Sequence, residues 1–250
     1  MDFECMKKIV EDRHSVRVFK KQEIPENVLE TILGYSLRCP TSMNTQPFKM
    51  ILVRDEEKKE QLACCMDEGN DMTVRTSAAT VVVCADQDPV KSVKEFGQYV
   101  FSSVESPKVK KMIRYGQYHS CLLPLAFLMY YKNSFFSFFF GWILDLAFAI
   151  YRLFSASPAR LTTQAWSYQQ ASFLMQDLVI LAESKGISSL IMEGFKEQQV
   201  RECLKLPKRY QIAGILSFGY EPDNTLVKPS ARFPFGNRFL GGLSNRFDDF

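Results

Sequence analysis

Histidine is nearly absent from this chain of 250 residues, and its seven cysteines include no CxxC pair. Only His14 and His119 occur, which with the missing CxxC argues against a structural zinc site, and an odd cysteine set with Cys64 and Cys65 adjacent does not read as a disulfide framework. The expected state is reduced, mostly buried thiols in a cytosolic compartment. Charge of one sign is lacking too: 31 Lys and Arg against 28 Asp and Glu leave +3, too little to make nucleic acid the main partner. Neither GxGxxG nor GxxxxGK[ST] occurs, so any nucleotide cofactor must be held by other means than a glycine-rich strand-to-helix turn. The first residues are charged from Asp2 onward with no apolar core, which argues against a cleaved secretory signal. No repeat or low-complexity linker marks a boundary, and one domain over 1–250 is expected.

What is present is a mixed pattern of helices and strands. Residues 3–12 and 25–39 read as helices, the second with Pro25 near its first turn, apolar Val28, Leu29, Ile32 and Leu33 at helical spacing, and Pro40 as its stop. FKMILVRD (48–55) reads as a strand, Glu56 to Gln61 as the start of a solvated helix, and ATVVVCAD (79–86) as a β-branched strand buried on both faces. Residues 163–185 predict a long helix whose face is Ala171, Leu174, Met175, Leu178, Val179 and Ala182, with Gly186 as its cap. ISSLIMEGF reads as a connection into a helix over 196–205, and QIAGILSFGYE (211–221) as the last strand. The tail from Lys228 has no regular period and is expected to wrap over a surface.

Four short segments carry the chemistry. Arg13-His14-Ser15-Val16-Arg17 places two guanidiniums and a hydroxyl within five residues, donors suited to a phosphate; alone it would equally suit a solvated basic turn. Pro40-Thr41-Ser42-Met43-Asn44-Thr45-Gln46-Pro47-Phe48 is dense in hydroxyls and amides that can address a polyhydroxyl chain or a ring edge, or serve as an ordinary turn. Met192-Glu193-Gly194-Phe195 contains a glycine that permits close backbone approach to a planar ligand. Lys228 to Arg232 supplies late cations able to complete a phosphate site.

Taken in order and spacing, RHSVR, PTSMNTQPF, GISSLIMEGF and AGILSFGY resemble the FMN-dependent nitroreductases, over about 1–100 and 160–235. The resemblance implies an α+β fold: a three-layer sandwich with a mainly antiparallel central sheet flanked by helices, and FMN at a homodimer interface. It implies that Arg13, His14, Ser15 and Arg17 hold the FMN phosphate and ribityl. Pro40, Thr41, Ser42 and Asn44, with Gln46 less firmly placed, match a loop reaching the flavin partly from the second subunit. Glu193 and Gly194 match backbone facing the isoalloxazine, and Arg232 matches the late phosphate-binding arginine. The usual basic partner two residues earlier is Ser230 here, which leaves Lys228 as a looser substitute. The implied activity is ping-pong hydride transfer from NADH or NADPH via FMN to a nitroaromatic, a quinone or a flavin. Chemistry on the cofactor requires no catalytic side chain. A different flavin reaction on the same fold, such as reductive dehalogenation or substrate dehydrogenation, stays open, as does a membrane-associated flavin-binding protein without turnover.

An apolar insert departs from that family's pattern. SFFSFFFGWILDLAFAIYRLF follows CLLPLAFLMYY, and within 121–154 the residues Ser134, Ser137, Gly141, Asp145 and Arg152 form one narrow polar stripe at helical spacing. Within the expected insert, 117–160, three readings stay open: a lid or dimer contact, a hairpin of 117–131 against 134–154 entering one membrane leaflet, or a full span. Asp145 would cost roughly 2.5–3.5 kcal/mol at a bilayer centre, and a single span would part the two halves of the flavin site. Lys108, Lys110, Lys111 and Arg114 just upstream would suit anionic headgroups. The expected location is cytoplasmic, with a peripheral membrane seat left open.

Overall fold

The computed structural model describes residues 2–88, 99, 102–103, 105–108, 110–111, 163–223 and 232. The insert at 117–160 and most of the tail from Lys228 lie outside the described residues.

Four strands form one sheet: β1 (Phe48–Val53), β2 (Ala79–Asp86), β3 (Ser188–Met192) and β4 (Tyr210–Gly219), in the order β1-β2-β4-β3. Every neighbouring pair is antiparallel. β2 is central and buried along its whole length, as its β-branched run predicts, because helices cover both faces. Successive residues feed opposite layers. Val81, Val83 and Ala85 enter a core with α2 (Glu26–Ser36) and α5 (Thr163–Glu183). Val82 and Cys84 enter a second core with α3 (Glu56–Ala63), α4 (Asn70–Thr76) and α6 (Glu197–Cys203). This is the expected three-layer α+β sandwich. In β4 the register jumps so that Val83 faces Gly214 and Cys84 faces Ile212. The unpaired Ala213 is a bulge that turns Ile212 into the second core.

The helices arise where the apolar spacing placed them. α1 spans Phe3–Asp12, and α2 stops at Ser36, three residues short of the expected end. All six residues expected on the inner face of α5 are buried, each large aliphatic contributing roughly 1.5–3 kcal/mol by leaving water. Gly186 follows α5 at φ +67, and its N–H donates to the Glu183 carbonyl at 2.9 Å, a left-handed exit that glycine adopts without a Cβ penalty. Helix α3 is less solvated than expected. Lys59 within it is buried, its Nζ donating to the Ser77 carbonyl at 2.7 Å and pairing with Glu56 at 2.7 Å.

ISSLIMEGF was expected as a connection, and its core is instead strand β3. Five residues opening on two serines have little strand signal of their own. The register with β4, Ser188 against Gly219 through Met192 against Ile215, makes them a strand. Among the described residues no helix is long and apolar enough to cross a membrane.

Candidate functional site

α1 ends at Asp12, and the Arg13 N–H donates back to the Ile9 carbonyl at 3.1 Å. The next residues run along the outer edge of β3. Ser15 bridges to Ser189, the Val16 N–H donates to the Ser189 carbonyl at 3.2 Å, and the Thr73 hydroxyl donates to the Arg17 carbonyl at 2.8 Å. Buried Val16 and Phe19 anchor the segment, while Ser15 and Arg17 are exposed and Arg13 is half-buried. Arg75, Arg201 and Arg209 each pair with a carboxylate. Arg13 and Arg17 form no ion pair among the described residues, although the Glu183 carboxylate lies near Arg13, so this segment carries two guanidiniums and a hydroxyl within five residues.

His14 is held by the chain itself. Its Nδ1 lies 2.8 Å from the Asp12 carbonyl and its Nε2 lies 3.1 Å from the Glu221 carboxylate, just past β4. The Asp12 carbonyl, and after it Glu221, hold the imidazole pKa above its ordinary value, against the opposing effect of burial. Burial in turn pushes up the carboxyl of Glu183, at the end of α5, although His14 and Arg13 nearby oppose that shift. Lys20 repeats the connection: its N–H donates to the Tyr220 carbonyl at 2.9 Å and its Nζ pairs with Asp223 at 2.9 Å. The stretch from His14 to Lys20 is thereby fastened to residues 220–223, from which the tail carrying Lys228 and Arg232 departs. Arg232 itself is exposed.

Glu193 and Gly194 follow directly from β3, on the same sheet edge. The Gly194 carbonyl accepts from the Asp67 N–H at 3.1 Å and from Asn70 Nδ2 at 3.0 Å. A Cβ on Gly194 would lie 2.8 Å from Asn70 Nδ2 and 3.2 Å from Asp67 Oδ2. The sequence suggested a close approach to a ligand; the approach within the chain is to the turn that opens α4. Helix α4 and the pair Asp67 and Asn70 were not anticipated, although Asp67-Glu68-Gly69-Asn70 carries the composition of a turn.

Pro40, Thr41, Ser42 and Asn44 sit at the opposite edge, leading into β1. The Ser42 N–H donates to Gln170 Oε1 of α5 at 2.7 Å, the Gln46 N–H donates to the Thr41 hydroxyl at 3.2 Å, and the Thr45 hydroxyl donates to the Ser42 carbonyl at 2.8 Å. Asn44 and Gln46 both have left-handed backbones, at φ 55 and φ 45. Two non-glycine residues held this way in one short loop store strain that the surrounding bonds must maintain. Gln46 Nε2 lies 3.3 Å from Asn44 Oδ1 and so orients that exposed amide.

Two groups therefore emerge. Arg13, His14, Ser15, Arg17, Glu193 and Gly194 converge on the β3 edge, whereas Pro40, Thr41, Ser42 and Asn44 lie at the β1 edge with β2 and β4 between them. One chain does not bring the two together. The sequence reading also passed over Ser189 and Glu221. Ser189 is buried beside the Ser15 bridge, and its hydroxyl is the one buried side-chain oxygen or nitrogen among the described residues with no partner.

Comparison with known proteins gives this arrangement a context. Residues 10–220 match the nitroreductase family. The chain is 26% identical over 222 residues to an NADH dehydrogenase of Thermus thermophilus, covering 89% of this chain and 88% of that protein. Over 86 residues it is 30% identical to an oxygen-insensitive NADPH nitroreductase of Helicobacter pylori, covering 34% of this chain and 40% of that one. A putative nitroreductase of Exiguobacterium sibiricum, solved in complex with FMN, shares the fold at a TM-score of 0.71 and 21% identity, covering 96% of both chains.

Proposed function

The chain belongs to the nitroreductase family, and from that premise we propose that it binds FMN and uses it to carry a hydride from NADH or NADPH to a small organic acceptor. The observation that carries the reading is the pair of guanidiniums, Arg13 and Arg17, on either side of Ser15 at the β3 edge. Their fit to FMN rests on donor chemistry. A terminal phosphate is a dianion that takes bidentate, charge-assisted bonds, and among the described residues neither arginine is closed in an ion pair, although Glu183 lies near Arg13. Ser15 adds a short donor between them, and Arg232, later in the chain, would supply a further cation. Glu193 and Gly194 would lie along the ring, their backbone fixed by Asp67 and Asn70.

Pro40, Thr41, Ser42 and Asn44 belong to the same site only if a second copy supplies them, since each chain holds them at its other sheet edge. A homodimer with two shared sites would reconcile that separation with the expected assembly. Within such a site this chain's residues bind, orient and exclude water, and no side chain is assigned a proton transfer. The acceptor is proposed as a nitroaromatic, a quinone or free flavin. The names of the similar proteins, an NADH dehydrogenase and an NADPH nitroreductase, support a nicotinamide donor.

Anaerobic stopped-flow mixing tests the reading. Purified protein loaded with FMN should lose flavin absorbance on addition of NADH or NADPH and regain it when an acceptor follows. Failure to take up FMN would remove the proposal altogether. Uptake without reduction by either nicotinamide would transfer support to a different flavin reaction on this fold.

A further inference from the structure

We propose that the contact between His14 and Glu221 is a proton-dependent latch that positions the Arg13–Arg17 segment, so that FMN is held more weakly once His14 loses its proton. The inference rests on the FMN reading and deepens it, making His14 a positioning residue.

The geometry suits a doubly protonated ring. The Asp12 carbonyl can only accept, so the Nδ1 atom at 2.8 Å must carry hydrogen. Nε2 lies 3.1 Å from Glu221 Oε1 and 3.1 Å from its Oε2, and an ionised carboxylate also only accepts. An imidazole that donates from both nitrogens is the imidazolium. The charged groups around it come from every adjoining element: Asp12 with its partner Lys8 on α1, Arg13 beside it, Glu183 from the end of α5, and Glu221 after β4. Three carboxylates there face one lysine, one arginine and the histidine.

With the proton in place, His14 balances Glu221 and ties the segment to the strand end that leads into the tail. Without it, the half-buried Glu221 carboxylate stands uncompensated next to the residues proposed to receive a phosphate dianion. Proton binding and phosphate binding then strengthen each other, by equal factors in either order.

Two measurements on the full chain test this. The first follows His14 by NMR against pH, before and after FMN is added. His14 is expected to titrate above the ordinary value of 6.5 without FMN and higher still with it. The second compares the Kd for FMN at about pH 6 and about pH 8.5 in the native chain, His14→Gln and Glu221→Gln. Because a phosphate itself takes up a proton near pH 6, the chains are compared at each pH. Between the two, the native chain is expected to weaken relative to His14→Gln by on the order of fivefold. Glu221→Gln should bind FMN more tightly than the native chain at the higher pH, which a purely structural bond would not produce. Equal pH profiles in the native chain and His14→Gln, Glu221→Gln binding FMN no more tightly than the native chain at the higher pH, or His14 titrating at or below 6.5 would overturn the latch. If His14→Gln does not fold, Glu221→Gln alone decides. If no chain takes up FMN at any pH, the cofactor reading falls, and the FMN-free titration still judges whether His14 holds its proton.

Discussion

The Gly194 carbonyl accepts from Asn70 Nδ2 at 3.0 Å, and a Cβ on Gly194 would lie 2.8 Å from that same nitrogen. One amide side chain thus both fixes the backbone after β3 and crowds any larger residue there. The turn opening α4 and the segment proposed to face the flavin are consequently a single unit, and a change on one side is felt on the other.

Replacing Gly194 with alanine should cost about 1–3 kcal/mol, the usual penalty for forcing extra volume into a packed position. Combining it with Asn70→Ala removes the obstructing group, so the two changes should be non-additive in a double-mutant cycle followed by denaturant unfolding. Strict additivity would show that the crowding is relieved elsewhere.

Arg17→Ala should weaken FMN binding about tenfold or more, from the loss of a charge-assisted bond worth roughly 1.5–3 kcal/mol. Its side chain is exposed and makes no ion pair among the described residues, so the melting temperature of the FMN-free chain should scarcely change. Quenching of flavin fluorescence gives the first quantity and a thermal scan the second. A large drop in melting temperature with unchanged FMN binding would mean the arginine is structural.

Subunit mixing tests the division of the site between two sheet edges. A chain carrying Arg17→Ala and a chain carrying Ser42→Ala with Asn44→Ala should each be impaired alone. Refolded together, their mixed dimers hold one site with both sets of changes and one with neither, so activity should return to about a quarter of the native level. No recovery on mixing would count against a shared site.

The carboxyl of Glu183 is raised by burial, so the sign of its pH effect is set. A group whose folded pKa exceeds its unfolded one favours folding most below the unfolded value, here 4.5, and that contribution fades as pH rises through the folded value. Glu183→Gln should therefore be more stable than the native chain near neutral pH and lose that advantage below about pH 4.5. Unfolding curves across that range decide it; an advantage independent of pH would assign the effect to something other than the charge.

Much of this was written into local sequence. The apolar spacing of α2 and α5, the β-branched run of β2 and the glycine after α5 each state a conformation within a few residues. They gave the elements close to where they occur. The RHSVR and Met192-Glu193-Gly194-Phe195 motifs likewise named residues that lie together on one edge. β3 escaped because its strand character comes from pairing with β4, not from Ser188 and Ser189. Asp67, Asn70 and Glu221 escaped because nothing near them in sequence indicates their partners: the last contacts His14 across 207 residues.

The sequence by itself determined most of the helices and strands and the set of donors, because these follow from short-range periodicity and from residue types at fixed spacing, and its motifs carried the resemblance that implied the family and the antiparallel α+β sandwich. Only the tertiary structure decided that Arg13–Arg17 and Glu193–Gly194 share one sheet edge while Pro40–Asn44 sits at the other. That separation depends on strand order, and strand order is set by long-range hydrogen bonding and two-sided burial, which no local pattern encodes.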